Sequence, residues 1–264
     1  MPKPAASPNI CLASLPRPAL DDLRARLIVV PLVQGRVLCD PDGEVDEVYF
    51  PLSGMISLVI LMKGGKAVET ATVGREGVFG AMAGLGTHVS RVRAIVQIPG
   101  AAARISATAF QTLAAQHPSV QNLCIRYNEV LLDQARVNAA CNALHQVESR
   151  FCRWLLHTSD RAESNVVALT QEFLSEMLGV RRTSVTEVAG KVQEAGIIRY
   201  SRGKITILSR RKLEGMACEC YETLRNWAPV CRYFSDQRRT GASFPTRNAS
   251  AALDCLRKQT AGKV

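Results

Sequence analysis

Between residues 33 and 105 apolar positions come in short runs broken by glycine turns: VQGRVLC, EVYFPLSGMISLVILM, GGKAVETATVG and SRVRAIVQIPGAAARI. Runs this short, with no helical period between them, predict an antiparallel β-roll or jelly-roll barrel. The period changes after Ala107. Thr108 to Gln116 reads as a short helix, interrupted at His117-Pro118 because proline removes a donor and restrains the residue before it. Ser119 is placed to cap the next helix. Along it Val120, Leu123, Tyr127, Val130, Leu131, Gln134, Val137, Asn138 and Cys141 trace a stripe over about six turns. Such a helix can pack within its own subunit or form a seam between two chains, and in a seam Gln134 and Asn138 would fix the register. Upstream, Leu20 to Val30 includes a short helix with Leu20, Leu23 and Leu27 on one face. Downstream, Asn142 to Gln146 reads as a hinge, and Val147, Phe151, Trp154 and Leu155 face the core of a further domain.

The next segment, LTQEFLSEMLGVRRTSVTEVAGKVQEAGIIRYSRGKITIL (Leu169 to Leu208), has the densest local signals. Thr170 can cap a helix whose apolar residues are Phe173, Leu174 and Met177. Gly179 supplies a sharp turn. A second helix starts near Arg181, with Val185, Val188, Ala189 and Val192 at helical spacing. Gly196 ends it, and Ile197 to Tyr200 and Lys204 to Ile207 read as two strands joined at Ser201-Arg202-Gly203. Helix, tight turn, helix and hairpin make a winged helix-turn-helix. Its outward side offers Arg181, Arg182, Thr183, Ser184 and Glu187 at the start of the second helix, the position that enters the major groove in such motifs. Thr170 and Gln171 at the first helix start are further DNA-binding candidates, and Arg199, Arg202 and Lys204 on the hairpin are placed for a neighbouring phosphate or the minor groove.

That stretch resembles the DNA-binding domain of the Crp/Fnr family of bacterial transcription regulators, and the resemblance extends upstream to about Val33. It implies a cyclic-nucleotide-binding-like β-roll ahead of the DNA-binding domain and a long helix that pairs two subunits. The positions matching Arg182, Thr183, Ser184 and Glu187 are groove-facing in the family. The best-known member carries an acidic residue at the position of Thr183 and an arginine at that of Glu187, which implies a different operator. Nucleotide-binding members hold the ribose with a Gly-Glu pair and the phosphate with an arginine followed by Ser/Thr and Ala. Here the matching stretch is Gly77-Val78-Phe79-Gly80-Ala81-Met82, with Ala81 at the carboxylate position. Arg91 and Arg93 stand in a different setting. The expected effector pocket, around Gly80, Ala81, Met82, Arg91 and Arg93, is therefore degenerate, and a cyclic nucleotide is not expected in it.

Charge sharpens this picture. The chain carries a formal +10 over 264 residues. Residues 1–160 hold 15 Lys and Arg against 13 Asp and Glu, a net of +2, whereas residues 161–264 hold 18 against 10, a net of +8. The excess lies in the half with the helix-turn-helix, where double-stranded DNA would meet it. No apolar run approaches the roughly 20 residues that span a bilayer, and the N-terminus does not read as a secretory signal. A cytoplasmic location and no membrane partner are expected, with a second copy of the chain as partner and RNA polymerase as a further candidate.

The nine cysteines are scattered and odd in number, so they do not read as a disulfide framework. Only Cys11 and Cys39 lie in the first third, which rejects the N-terminal iron–sulfur centre of some family members. Cys218, Cys220 and Cys231 could ligate a metal or sense oxidants, but free cysteine is more often an inert core residue, and no metal site is expected. Haem is not expected either, since His88 is the only histidine in the roll. No P-loop, H-E-x-x-H or G-x-S-x-G pattern points to an enzyme. The resulting expectation is an α+β chain: a mobile N-terminus (1–19), a β-roll (20–117), a dimerisation helix and hinge (118–146), a winged helix-turn-helix (147–228) and a disordered tail (229–264). The competing reading is a small-ligand sensor or protein-interaction module whose basic face is incidental.

Overall fold

Met55 to Ile60 is an unbroken buried or half-buried run where a half-exposed strand would alternate, and the fold supplies the reason. Its strand is covered on both faces. The computed structural model describes residues 9–227. The chain begins with α1 (Ile10–Ala13) and α2 (Arg17–Arg24). There follow β1 (Ile28–Leu32), β2 (Val37–Cys39), β3 (Glu47–Leu61), β4 (Ala67–Val73), a 3-10 turn at Ala81–Leu85, and β5 (Arg93–Ser106). The strands form one antiparallel sheet in the order β1-β5-β3-β4, with β2 also paired to β5. Ile56 and Leu58 of β3 enter the core of the roll with Phe50, Val73, Phe110 and Tyr127. Met55 and Val59 belong to a second core with Phe151, Trp154 and Leu155 of the C-terminal domain.

The helical part comprises α3 (Ala107–Gln116), α4 (Pro118–Leu144) and α5 (Val147–Ala162). The C-terminal domain continues with β6 (Val166–Ala168), α6 (Gln171–Leu178), α7 (Arg182–Glu194), β7 (Ile198–Ser201), β8 (Lys204–Ile207), α8 (Arg210–Met216) and α9 (Cys220–Trp227). The α+β architecture of roll, long helix and C-terminal helix-turn-helix is the one expected.

Several local expectations need correction. Residues 9–19 are not part of a mobile segment. Asn9 is fully buried, and its side-chain amide donates to the carbonyls of Pro51 (2.9 Å) and Gly77 (2.8 Å) while its Oδ1 caps α1 at Leu12 N–H. The strands of the roll begin before Val33, where the strand-rich pattern was read to start, because Ile28–Leu32 pairs with β5 as an exposed-edge strand. Ser119 does not cap α4, whose N-cap is His117 with Pro118 in the first turn, where the missing amide hydrogen costs nothing. The single last helix expected from Arg210 to Trp227 is two, because Ala217 is extended and ends α8. Residues 1–8 and the tail from 228, with Cys231, lie outside the described residues.

The stripe on α4 faces its own subunit. In the sheet order β4 is an edge, so one row of its backbone groups has no strand partner. Gln134 substitutes for one. Its Oε1 accepts from Thr72 N–H at 3.1 Å and its Nε2 donates to Thr72 C=O at 3.2 Å, while Asn138 donates to Thr70 C=O at 2.8 Å. These two amides are therefore not register residues of an intersubunit seam. Tyr127, about two turns earlier, packs so close to Gly77 that a Cβ there would lie 1.8 Å from its hydroxyl.

Roll and C-terminal domain also meet through buried polar contacts. Glu69 on β4 accepts from Trp154 Nε1 at 2.9 Å and from the Ser57 hydroxyl at 2.7 Å. Arg161 donates to Glu76 at 3.0 Å, with both side chains largely buried. An exposed contact adds to these, Gln34 donating to the carbonyl of Ala168 at 3.1 Å. Burial pushes the Glu69 carboxyl above the ordinary carboxylate range, opposed by its two hydrogen bonds and by the charges of Arg153 and Arg161.

Removing the edge-strand contact with Gln134→Ala leaves both Thr72 backbone groups unpaired and should cost about 1–3 kcal/mol. Chemical unfolding reads this directly, and an unchanged midpoint would reject the contact's role. For Glu69, a raised folded-state value means that its contribution to stability is full below the unfolded glutamate pKa. That contribution is lost as pH rises through the raised folded value. Glu69→Gln should flatten this segment of the stability–pH curve, measured by thermal unfolding from about pH 4 upward.

Candidate nucleic-acid interface

Two short helices and a hairpin position the interface. Thr170 caps α6, its hydroxyl accepting from Phe173 N–H at 3.2 Å. Gly179 closes α6 in the left-handed conformation (φ 64°), and a Cβ there would press to 3.1 Å of Val68 on the roll. The chain then re-enters a helix at Arg182. Arg181, the N-cap of α7, makes no side-chain cap, so the first-turn amides are not claimed by it. Val185, Val188, Ala189 and Val192 are buried against the domain core. The opposite face exposes Arg181, Arg182, Thr183, Thr186, Glu187 and Lys191, with Ser184 half-buried at its margin.

This face is only lightly braced. Thr186 donates to Gln171 Oε1 at 3.0 Å, joining α6 to α7. Arg182 lies 3.8 Å from Glu172, with both side chains exposed, a contact that solvent screens. Glu187 pairs with Lys191 at 2.8 Å, and the hydrogen bond holds its carboxyl below the usual range and raises the lysine.

The hairpin tip turns through Arg202 (φ 49°) and Gly203 (φ 71°), the two-residue turn with both central residues left-handed that suits tight hairpins. Tyr200 ties the hairpin down by donating its hydroxyl to Leu169 C=O at 3.1 Å and its amide to Gln193 Oε1 at 2.6 Å. Thr170, Gln171, Arg182, Tyr200, Ser201, Arg202 and Gly203 thereby line one open cleft of about 370 Å³. The structure thus gathers Thr170, Gln171, Arg182 and Arg202, and places Arg181, Thr183 and Glu187 along the adjoining helix face. Lys204 and Arg199 are exposed on the hairpin strands but do not line the cleft.

Sequence reasoning passed over Thr186, Tyr200, Ser201 and Lys191. Thr186 and Lys191 lie three to four residues from Thr183 and Glu187, so extending the helical period outward would have found them. It also passed over β6, a three-residue strand that pairs with β8 and completes the small sheet behind the hairpin.

A second cavity of about 370 Å³ opens in the roll against α4. Gly80, Ala81, Met82 and Arg91 line it together with Asn128, Leu131, Leu132 and Ala135 of α4, whereas Arg93 does not. Gly80 precedes the 3-10 turn with φ 82°, and Ala81 is buried behind it. Arg91 and Arg93 are each paired with an aspartate outside the lining, Asp42 (2.5 Å) and Asp40 (2.7 Å). His88 is half-buried outside the lining.

Residues 29–117 match the family model described as the cyclic nucleotide-binding domain, and residues 149–216 match the Crp-like helix-turn-helix domain. The fold is shared with a putative transcriptional regulator of the Crp/Fnr family from Eubacterium rectale (TM-score 0.63, 18% identity, 77% of this chain and 95% of that one). It is shared also with FixK2 from Bradyrhizobium japonicum (TM-score 0.62, 16% identity, 73% and 98%). A CRP/FNR-family transcriptional regulator from Thermus thermophilus superposes at TM-score 0.60 with 23% identity, over 72% and 98% of the two chains. No curated protein sequence matches the chain. A roll of the cyclic nucleotide-binding type, joined by a long helix to a Crp-like helix-turn-helix, defines a DNA-binding transcription regulator. The chain belongs to the Crp/Fnr family.

Proposed function

We propose that this regulator acts in the cytoplasm as a dimer that reads a pseudo-palindromic operator through α7. The observation that carries the reading is the exposed polar face of α7, continuous with the cleft under the hairpin tip. Arg181, Arg182, Thr183, Ser184 and Glu187 supply the donors and acceptors for base edges, each base pair presenting a distinct pattern in the major groove. Thr170 and Gln171 at the start of α6, with Arg202 and Lys204 on the hairpin, hold flanking phosphates. The cleft lined by Thr170, Arg182 and Arg202 is placed for one phosphate group. RNA polymerase is a further partner consistent with this role. The role is binding, not catalysis.

The dimer seam is the exposed face of α4. Ile125 and Leu132 are exposed there, Leu132 also bordering the roll cavity, and Ala139 follows at the same seven-residue spacing. Two α7 helices held about one helical turn of DNA apart would then meet successive major grooves.

The roll cavity does not fit a cyclic nucleotide. Ala81 has no carboxylate to accept a ribose hydroxyl, and a site lacking one polar partner discriminates strongly against the ligand that needs it. Arg91 and Arg93 answer aspartates instead of facing an open phosphate site. The lining is dominated by Val45, Leu58, Phe79, Met82, Leu131 and Leu132, which suits an apolar effector. Because the cavity wall includes α4, such an effector would act by favouring one placement of that helix over another.

Three measurements test this reading. Arg182→Ala should lower operator affinity by about 1–3 kcal/mol and relax sequence preference if the arginine contacts a base, or reduce the salt slope by about one if it contacts phosphate. Fluorescence anisotropy against specific and random duplexes separates these, and unchanged binding would reject the placement. Ile125→Glu should convert the protein to a monomer in light scattering and weaken operator binding on the order of 100-fold. Calorimetry with cyclic AMP should show no micromolar affinity, and a binding isotherm in that range would restore the nucleotide reading.

A further inference from the structure

At the junction of α4 and α9 four potential ligand atoms converge from distant parts of the chain. Cys141 lies in the last turn of α4, His145 is its C-cap, and Cys218 and Cys220 flank the start of α9. Their three sulfurs and one ring nitrogen all lie within 4.8 Å of one another. Cys141 and Cys218 are 3.5 Å apart at sulfur, and Cys220 Sγ is 3.6 Å from His145 Nδ1. Around a tetrahedral zinc, sulfurs stand about 3.8 Å apart and sulfur and nitrogen about 3.6 Å, given bonds of about 2.3 and 2.0–2.1 Å. We propose that Cys141, His145, Cys218 and Cys220 form a Cys3His site for a single zinc ion, which clasps the hinge between the long helix and the DNA-binding domain.

Three further features bear on the choice of ion. The outer ring nitrogen of His145 is 3.1 Å from Glu219, the residue between the two α9 cysteines. A carboxylate on Nε2 fixes the tautomer whose Nδ1 lone pair faces the sulfurs, the arrangement that accompanies metal-binding histidines. Three thiolates and a neutral imidazole on a divalent ion leave a net charge of −1. Arg153 on α5, almost fully buried and without a hydrogen bond at its Nε, supplies compensating charge to the sulfurs. A set this compact is closed, with no position left for substrate, and so has the character of a structural site. The atoms are too close to surround a multi-iron cluster.

The sequence reading grouped Cys218 and Cys220 with Cys231, which lies outside the described residues. The fold supplies Cys141 and His145 instead, 77 and 75 residues from their partners. The C-terminal end of α4 is thereby tied to α9, across the segment where the chain leaves α4 for α5.

Full-length protein purified under reductant, stripped with chelator and titrated with Zn²⁺ is expected to bind one ion per chain, retained through gel filtration. Co²⁺ in its place should give the intense visible bands of a tetrahedral ion and a thiolate charge-transfer band. Cys141→Ser should abolish both. His145→Ala, at a partly exposed side chain with little bearing on folding, should alter the Co²⁺ spectrum, and Glu219→Gln should weaken Zn²⁺ about 10–100-fold. Zn²⁺ should raise the thermal unfolding midpoint of the parent and leave that of Cys141→Ser unchanged. Substoichiometric zinc, a weak octahedral Co²⁺ spectrum, or spectra unaffected by His145→Ala would overturn the site. So would a Cys141–Cys218 disulfide that forms equally fast with and without Zn²⁺, which would make the pair a redox element.

Discussion

The edge of the roll sets the geometry of the remaining structure. A β-roll that ends on an unpaired strand must satisfy that strand's backbone groups or leave them to water and to other chains. Here a helix does it, with the carboxamides of Gln134 and Asn138 standing where a neighbouring strand's peptide groups would be. A side-chain amide can do so because it has the same donor and acceptor as a peptide unit. The consequence is directional. Fixing these two residues against β4 fixes the rotation of α4 about its axis, and that rotation turns Ile125 and Leu132 outward. It also brings Cys141, one turn beyond Asn138, to the side where α9 arrives.

The same strand pair carries the second constraint. β3 and β4 contribute to the roll core on one side, and on the other Met55, Val59 and Glu69 meet α5. A sheet covered on both faces transmits displacement between its two covers, because close-packed interiors shift between discrete arrangements and do not deform continuously. The DNA-binding domain is thus seated on the β-roll itself as well as joined to it through α4. The buried Glu69–Trp154 and Glu76–Arg161 contacts make that seat directional, since a small slide would strand a buried donor or charge.

What could be read in advance divides along the same physical lines. The helix-turn-helix was legible because its signals are local: Thr170 as cap, Gly179 at a positive φ, four apolar residues on one face of α7, and a glycine at the hairpin tip. The roll was legible from runs and turns, although β1 and β6 escaped because short edge strands carry little pattern. The polar residues on the α4 stripe were visible, and of the two readings open for them the contacts with β4 select packing within the subunit. Hydrophobic spacing marks which face of a helix is covered and is silent on what covers it. Gln134 meeting Thr72 is a contact across 62 residues, which no local rule anticipates. Cys141 and His145 were hidden for the same reason, since their spacing of four shows only that they share a helix face, and Cys218 and Cys220 come from 77 and 75 residues away.

Charge separates the two candidate ligand sites more sharply than shape does. Cleft and cavity have similar volumes, yet their polar groups are committed differently. At the roll cavity the one lining guanidinium, Arg91, already answers Asp42 at 2.5 Å, so an entering anion would have to displace a partner held on the same domain. That pair is solvent-exposed and weak, and the buried Ala81 carries no carboxylate. At the helix-turn-helix, Arg182 has only a long, exposed contact at 3.8 Å, and no ion pair within 4 Å holds Arg181 or Arg202 among the described residues. Uncommitted cations on an exposed helix start attract a polyanion without first breaking an internal bond, whereas the one arginine lining the apolar roll cavity already faces an aspartate. The two sites thus differ in where positive charge is left unanswered.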